Sequence, residues 1–205
     1  MSSELLSSDI LKAVTTYVAD LKKPVTFVLQ TGTHDKRREL VDFLSAIAAT
    51  SPLLTLEQRD TGGSLRSPIS FSLEADGEAT GITFSGIPSG HEFNSLILAI
   101  LQSGGASDLK LDASIVETVQ SINEPANFEV FISLSCHNCP DVVQTLNKFA
   151  LLNQNISTEM IDGGLFQDII DGRDIQGVPS VFMNGELFMN GKVDIANIID
   201  KLRPM

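Results

Sequence analysis

The chain has 205 residues, 42% of them hydrophobic, enough to bury one large core or two small ones. Its formal charge of −12, spread over both halves with no basic patch, argues against nucleic acid, because nothing would displace counterions from phosphates. The apolar run Leu96–Leu101 falls far short of the roughly 20 residues of a membrane span. The segment before Lys23 carries Glu4, Asp9, Lys12 and Asp20 where an export signal would be apolar, so a cytoplasmic location without membrane association is expected.

Taken in order, the chain opens with helical spacing at Ile10, Leu11, Val14, Tyr17, Val18 and Leu21, stopped near Pro24. A strand is predicted over Val25–Gln30, then a helix through Leu40, Val41, Phe43, Leu44 and Ile47, and a short strand at Leu54–Leu56. Pro68 begins a hairpin that turns at Asp76-Gly77 and ends at Gly86, and a helix follows over Phe93–Leu101. Ser103-Gly104-Gly105-Ala106-Ser107 then breaks the pattern.

Beyond the break the same order returns. A helix through Ile115, Val116, Val119 and Ile122 stops near Pro125, and Glu129–Leu134 reads as a strand. A helix carries Val142, Val143, Leu146, Phe149 and Ala150, and Thr158–Ile161 reads as the next strand. Pro179 begins the second hairpin, which turns at Asn184-Gly185, ends at Gly191 and leads into a helix over Val193–Leu202. The prediction is an α/β chain of two tandem thioredoxin-like folds, each a central mixed β-sheet flanked by helices. The first occupies 1–102 and the second 113–205, with a linker at 103–112.

The two cysteines lie between the strand and helix of the second copy, as Cys136-His137-Asn138-Cys139. A helix N-terminus offers unpaired N–H groups and the positive end of the dipole, which favour thiolate over thiol. Cys136, at the helix mouth, is the expected attacking sulfur, and Cys139, one turn in, stands where it can close an internal disulfide. Two readings compete. A zinc site normally needs four ligands, and only His34, His91 and His137 are available beside the pair; two buried inert cysteines are the other. Haem attachment is excluded, because Pro140 stands where a histidine is required. The first copy has Thr31-Gly32-Thr33-His34 at the equivalent place and no thiol.

The stretch Ser133-Leu134-Ser135-Cys136-His137-Asn138-Cys139-Pro140-Asp141-Val142-Val143 closely resembles the N-terminal region of the flavoprotein component of alkyl hydroperoxide reductase. Ile161-Asp162-Gly163-Gly164, Gly177-Val178-Pro179, Val181-Phe182-Met183-Asn184-Gly185 and Gly90-His91-Glu92-Phe93 extend the resemblance over nearly the whole chain. It implies a dithiol relay that takes electrons from an NADH-dependent, flavin-containing module of the same polypeptide and passes them to the disulfide of a peroxiredoxin. FAD and NADH would belong to that missing C-terminal part; no cofactor or metal is expected on this chain. Cys136 would attack the partner disulfide and Cys139 would resolve it.

By the same resemblance Pro179 would be a cis-proline facing the dithiol, leaving Val178 to pair with an extended substrate segment; a plain strand-entry proline is the alternative. His137 is a candidate thiolate stabiliser or an exposed loop side chain. Glu129 is a candidate proton handler if buried. Glu92 reads as a helix-start carboxylate or as an acid lining a groove between the two copies. A free-standing glutaredoxin-like reductase and a non-catalytic docking module are the rival functions.

Overall fold

The computed structural model describes residues 5–191 and 194–203. Helix α1, Ser8–Val18, starts where the Ser7 hydroxyl accepts the Ile10 N–H at 3.3 Å, and it buries Val14 and Val18. Tyr17, placed on the buried face by its spacing, is instead 58% exposed. The apolar stripe is only an i, i+4 pair wide, and Tyr17 stands at its margin with the ring in water.

Strand β1 (Val25–Gln30), helix α2 (Arg37–Ala48), strand β2 (Leu54–Arg59) and the hairpin β3 (Ser70–Ala75) and β4 (Glu78–Ser85) follow, then a turn of 3-10 helix at Gly90–Glu92 and helix α3 (Phe93–Ser103). The second round is α4 (Ala113–Gln120), β5 (Ala126–Ile132), α5 (Cys139–Leu152), β6 (Ile156–Asp162), α6 (Gln167–Gly172), β7 (Ser180–Met183), β8 (Glu186–Asn190) and α7 (Ile195–Leu202). Val193, the expected start of the last helix, lies outside the described residues; Asp194 caps α7 by accepting the Asn197 N–H at 2.8 Å. The short α6 has too few apolar positions to betray a helical period. Both hairpins turn as expected, with Asp76 and Gly77 at φ 55° and 81° and Asn184 and Gly185 at φ 51° and 86°.

Each round builds a four-stranded mixed sheet. β1 pairs parallel with β2 and antiparallel with β3, and β5 repeats this with β6 and β7. The two sheets then join into one of eight strands, in the order β2-β1-β3-β4-β6-β5-β7-β8. The seam is parallel, with Ile82 opposite Thr158 and Ser85 opposite Ile161. A repeat read from sequence is silent on this edge-to-edge closure, which pairs β4 and β6 with each other instead of leaving both open to water.

Gly81 permits the seam. It sits at φ +78°, and a Cβ there would lie 2.8 Å from the Ile156 carbonyl oxygen. Gly77, at φ +81°, has nothing within 4 Å and isolates the backbone contribution. Gly77→Ala is expected to cost about 1 kcal/mol and Gly81→Ala about 2–3 kcal/mol in urea unfolding. Equal losses would mean that the strands part without resistance.

A cross-copy ion network lies against the same seam. Glu129 and Glu159 are register neighbours on β5 and β6, so their charges would repel. Arg66, from the segment between β2 and β3, donates Nε to Glu159 Oε1 at 2.8 Å and Nη2 to Glu159 Oε2 at 2.7 Å, and also reaches Glu129 Oε1 at 2.5 Å. Ser85 of β4 hydrogen-bonds Glu159 as well. The bidentate fork converts two like charges into a bridge between the copies.

Candidate active site

β5 ends at Ile132, and the chain turns through Ser133–Asn138, where the Cys136 N–H donates to the Ser133 carbonyl at 2.9 Å. Cys139 is the first residue of α5 and Pro140 follows it, a position that needs no backbone donor. Cys136 and Cys139 form a disulfide, with Cα atoms 5.6 Å apart. Cys139 is fully buried and Cys136 only partly so. A reagent arriving from solvent therefore meets the Cys136 sulfur first.

The Val178–Pro179 bond is cis, and no other cis bond occurs among the described residues. The Val178 carbonyl oxygen lies 3.9 Å from Cys136 Sγ; this is a contact, since a disulfide sulfur has no proton to give. Val178 is partly exposed, and its N–H has no partner among the described residues. Ser180 and Gly191 brace the bend, Ser180 Oγ donating to the Gly177 carbonyl at 2.7 Å and the Gly191 N–H to the Pro179 carbonyl at 2.9 Å.

The cysteine-free copy reaches this site through Gly90–Glu92. Gly90 has φ +55°, and a Cβ on it would lie 2.7 Å from the Leu134 carbonyl oxygen, so only glycine lets the turn approach this closely. The His91 N–H donates to that same oxygen at 3.1 Å, and the His91 ring sits 4.2 Å from the ring of exposed His137. His137 thus packs against the first copy. His91, 45 residues before Cys136 in the sequence, is brought beside His137 by this turn.

Glu92 is fully buried, and neither carboxylate oxygen has an aligned hydrogen-bond partner among the described residues. Burial pushes its pKa up to about 7, while the nearby Ser95 hydroxyl pulls the other way. An ionised carboxylate so placed is unfavourable, and the proton is held into the neutral range. Glu92 does stand at the start of α3, as the residue before its first turn, but its side chain makes no capping hydrogen bond.

Glu129 is held in its charged form. Burial acts to raise its pKa, but Arg173 (Nη1 at 2.6 Å) and Arg66 outweigh it and hold the carboxylate below its ordinary range. Arg173 is itself fixed over the rings of Phe182 and Phe131, at 4.7 and 5.3 Å. Charged and saturated with donors, Glu129 is a cross-copy tie.

In the first copy an arginine stands at the equivalent place. The Arg37 guanidinium donates to the backbone carbonyls of Gln30 and Pro68 and to Gln58 Oε1 at 2.8 Å, bridging the end of β1 to the proline that stands where Pro179 stands in the second. Absence of cysteine and occupation by arginine together close this copy to disulfide exchange.

A partly exposed cysteine joined to a buried one at a helix N-terminus, against a cis-proline on a mixed sheet, defines a disulfide oxidoreductase domain of the thioredoxin-like class. The thioredoxin domain family matches residues 126–203. The alkyl hydroperoxide reductase AhpF of Staphylococcus aureus (strain NCTC 8325 / PS 47) is 43% identical over 198 residues, covering 97% of this chain and 38% of that protein. The crystal structure of the NTD_N/C domain of alkylhydroperoxide reductase AhpF from Enterococcus faecalis (V583) matches with a TM-score of 0.87 at 31% identity, over 96% of this chain and 99% of that one. A protein disulfide oxidoreductase from Aeropyrum pernix shares the fold, with a TM-score of 0.81 at 22% identity over 96% of this chain and 92% of that one. The chain belongs to the alkyl hydroperoxide reductase AhpF family and corresponds to its N-terminal domain. It spans about 38% of the length of the S. aureus relative.

Proposed function

We propose that this domain carries reducing equivalents from an NADH-dependent, FAD-containing module of the same polypeptide to the disulfide of a peroxiredoxin. The observation that carries the reading is the asymmetry of the two sulfurs beside an unpaired Val178 N–H. An extended segment of the partner pairs with the Val178 backbone, which sets its disulfide in line with Cys136. The Cys136 thiolate attacks one partner sulfur; the partner disulfide breaks, a mixed disulfide forms, and the partner's other sulfur leaves as a thiolate. Cys139 then attacks Cys136 Sγ, releasing the second partner thiolate and re-forming the internal disulfide. Two electrons pass to the partner, and the two protons it needs balance those lost by the dithiol.

Cys139 is buried, so the proton it gives up requires an acceptor inside the protein. Glu92 is suited to that task. It sits in the turn that packs on α5, and burial holds its proton into the neutral range. The first copy thus contributes an acid–base group to a dithiol it does not possess.

The trapping experiment follows from these roles. With Cys139→Ser, oxidised peroxiredoxin should accumulate as a disulfide-linked adduct through Cys136, visible on non-reducing gels and abolished by dithiothreitol. Absence of the adduct, or an adduct equally strong with unrelated disulfides such as oxidised insulin, would displace the peroxiredoxin assignment in favour of a general reductase.

A further inference from the structure

The packing of α3 on α5 joins the two copies on their helical side, and it contains one hydrogen bond between side chains among the described residues. Gln144 of α5, in the dithiol copy, donates Nε2–H to Ser95 Oγ of α3, in the cysteine-free copy, at 3.2 Å. Ser95 is fully buried and stands one helical turn after Glu92. A hydroxyl has one proton and two lone pairs. When Gln144 occupies a lone pair, the Ser95 proton is left to point elsewhere, and one turn away stands the orphaned carboxylate of Glu92, on which the Ser95 hydroxyl already acts against burial. Donation into an oxygen also polarises its own O–H, so the second bond gains from the first.

We infer that Gln144 and Ser95 are positioning residues: the carboxamide of the dithiol copy orients the Ser95 hydroxyl toward Glu92 and so sets the proton affinity of that carboxyl from across the interface between the copies. The inference rests on the acid–base reading of Glu92 for its functional meaning, though not for its geometry.

The electrostatic surroundings leave this relay as the adjustable element. Of the ionisable groups on α5, Asp141 and Lys148 line a solvent-open groove with Lys110, Asp194 and Gln144 itself. On α1, packed against α3, Asp9 and Lys12 are exposed and pair with each other. Glu74 of β3 pairs with Arg59, and Glu78 at the start of β4 is exposed. At the Glu92 end of α3 stand His91, on the same turn, and His137, in ring contact with it. Gln144 touches both the groove and the buried Ser95, so it is the point at which the polar exterior reaches this interior carboxyl.

The experiment is a pH titration of the Glu92 side-chain carboxyl carbon by NMR in the reduced chain, with the pH profile of Cys136 alkylation recorded alongside. Ser95→Ala and Gln144→Met both keep apolar volume and helix propensity, so both variants are expected to fold. Each should move the Glu92 midpoint upward, by about half a pH unit or more, and the double variant should move it no further than Ser95→Ala, because Gln144 acts only through Ser95. Ser95→Thr, which keeps the hydroxyl, should leave the midpoint near that of the parent. An unchanged midpoint in Gln144→Met, additive shifts in the double variant, or a downward shift showing that the carboxamide accepts from Ser95 would each overturn the inference. If the midpoint moves as stated while the alkylation profile stays still, the positioning stands and the acid–base reading of Glu92 fails.

Discussion

Replacing Cys136 with serine is expected to abolish exchange with a partner disulfide, lowering the rate by a factor on the order of 10³ or more, because a hydroxyl in this setting lacks the thiolate that attacks sulfur. Cys139→Ser should behave differently. It retains the first attack and loses turnover, so a single-turnover burst survives where steady-state transfer does not. The distinction follows from exposure, since Cys136 reaches solvent and Cys139 does not. Stopped-flow reduction of a chromogenic disulfide, read first as burst and then as steady state, separates the two. A burst that persists in Cys136→Ser and vanishes in Cys139→Ser would reverse the assigned roles.

The second large effect concerns stability. Glu92 has its pKa raised from 4.5 to about 7 in the folded protein by burial. Below pH 4.5 the carboxyl is protonated in both folded and unfolded chains, and its contribution is fully present. Between 4.5 and 7 the folded state holds a proton that the unfolded state has released, so stability falls as pH rises, and above about 7 the loss is complete. The shift corresponds to about 3 kcal/mol. Glu92→Gln, nearly isosteric with the protonated acid, is therefore expected to match the parent at pH 4 and to exceed it by up to that amount at pH 8 to 9. Urea unfolding at both pH values gives the difference directly; a gap that is the same at both would refute the buried-carboxyl account. The same variant should turn over more slowly, a stability gained at the expense of a strained functional group.

The site was legible in the chain wherever its chemistry is local. A dithiol at a strand-to-helix junction announces itself by the apolar run before it and the helical spacing after it. The hairpin turns follow from Asp76-Gly77 and Asn184-Gly185, whose left-handed backbone is a property of those residues. The proline after Val178 marked its own position, although the sequence left cis and strand-entry readings both open. Where two surfaces decide jointly, the chain alone is mute. Strand alternation put Glu129 on one of two faces without saying which, and its meaning depends on Arg66 and Arg173, which lie 63 and 44 residues away. Tyr17 fits a helical face by spacing, but how wide that face is depends on what packs against it.

By itself the sequence determined the reactive pair, the repeated order of strands and helices, and the absence of thiols from the first copy, because each is written in neighbouring residues or in a period that repeats along the chain. Only the tertiary structure decided that the two copies form one sheet, with Gly81 allowing β4 to meet β6, and that the cysteine-free copy sets His91 against His137, inside the Cys-x-x-Cys turn, and buries Glu92. The physical reason is that burial and proton affinity belong to an environment. A glutamate is ordinary until the fold takes away its water and supplies no partner in return.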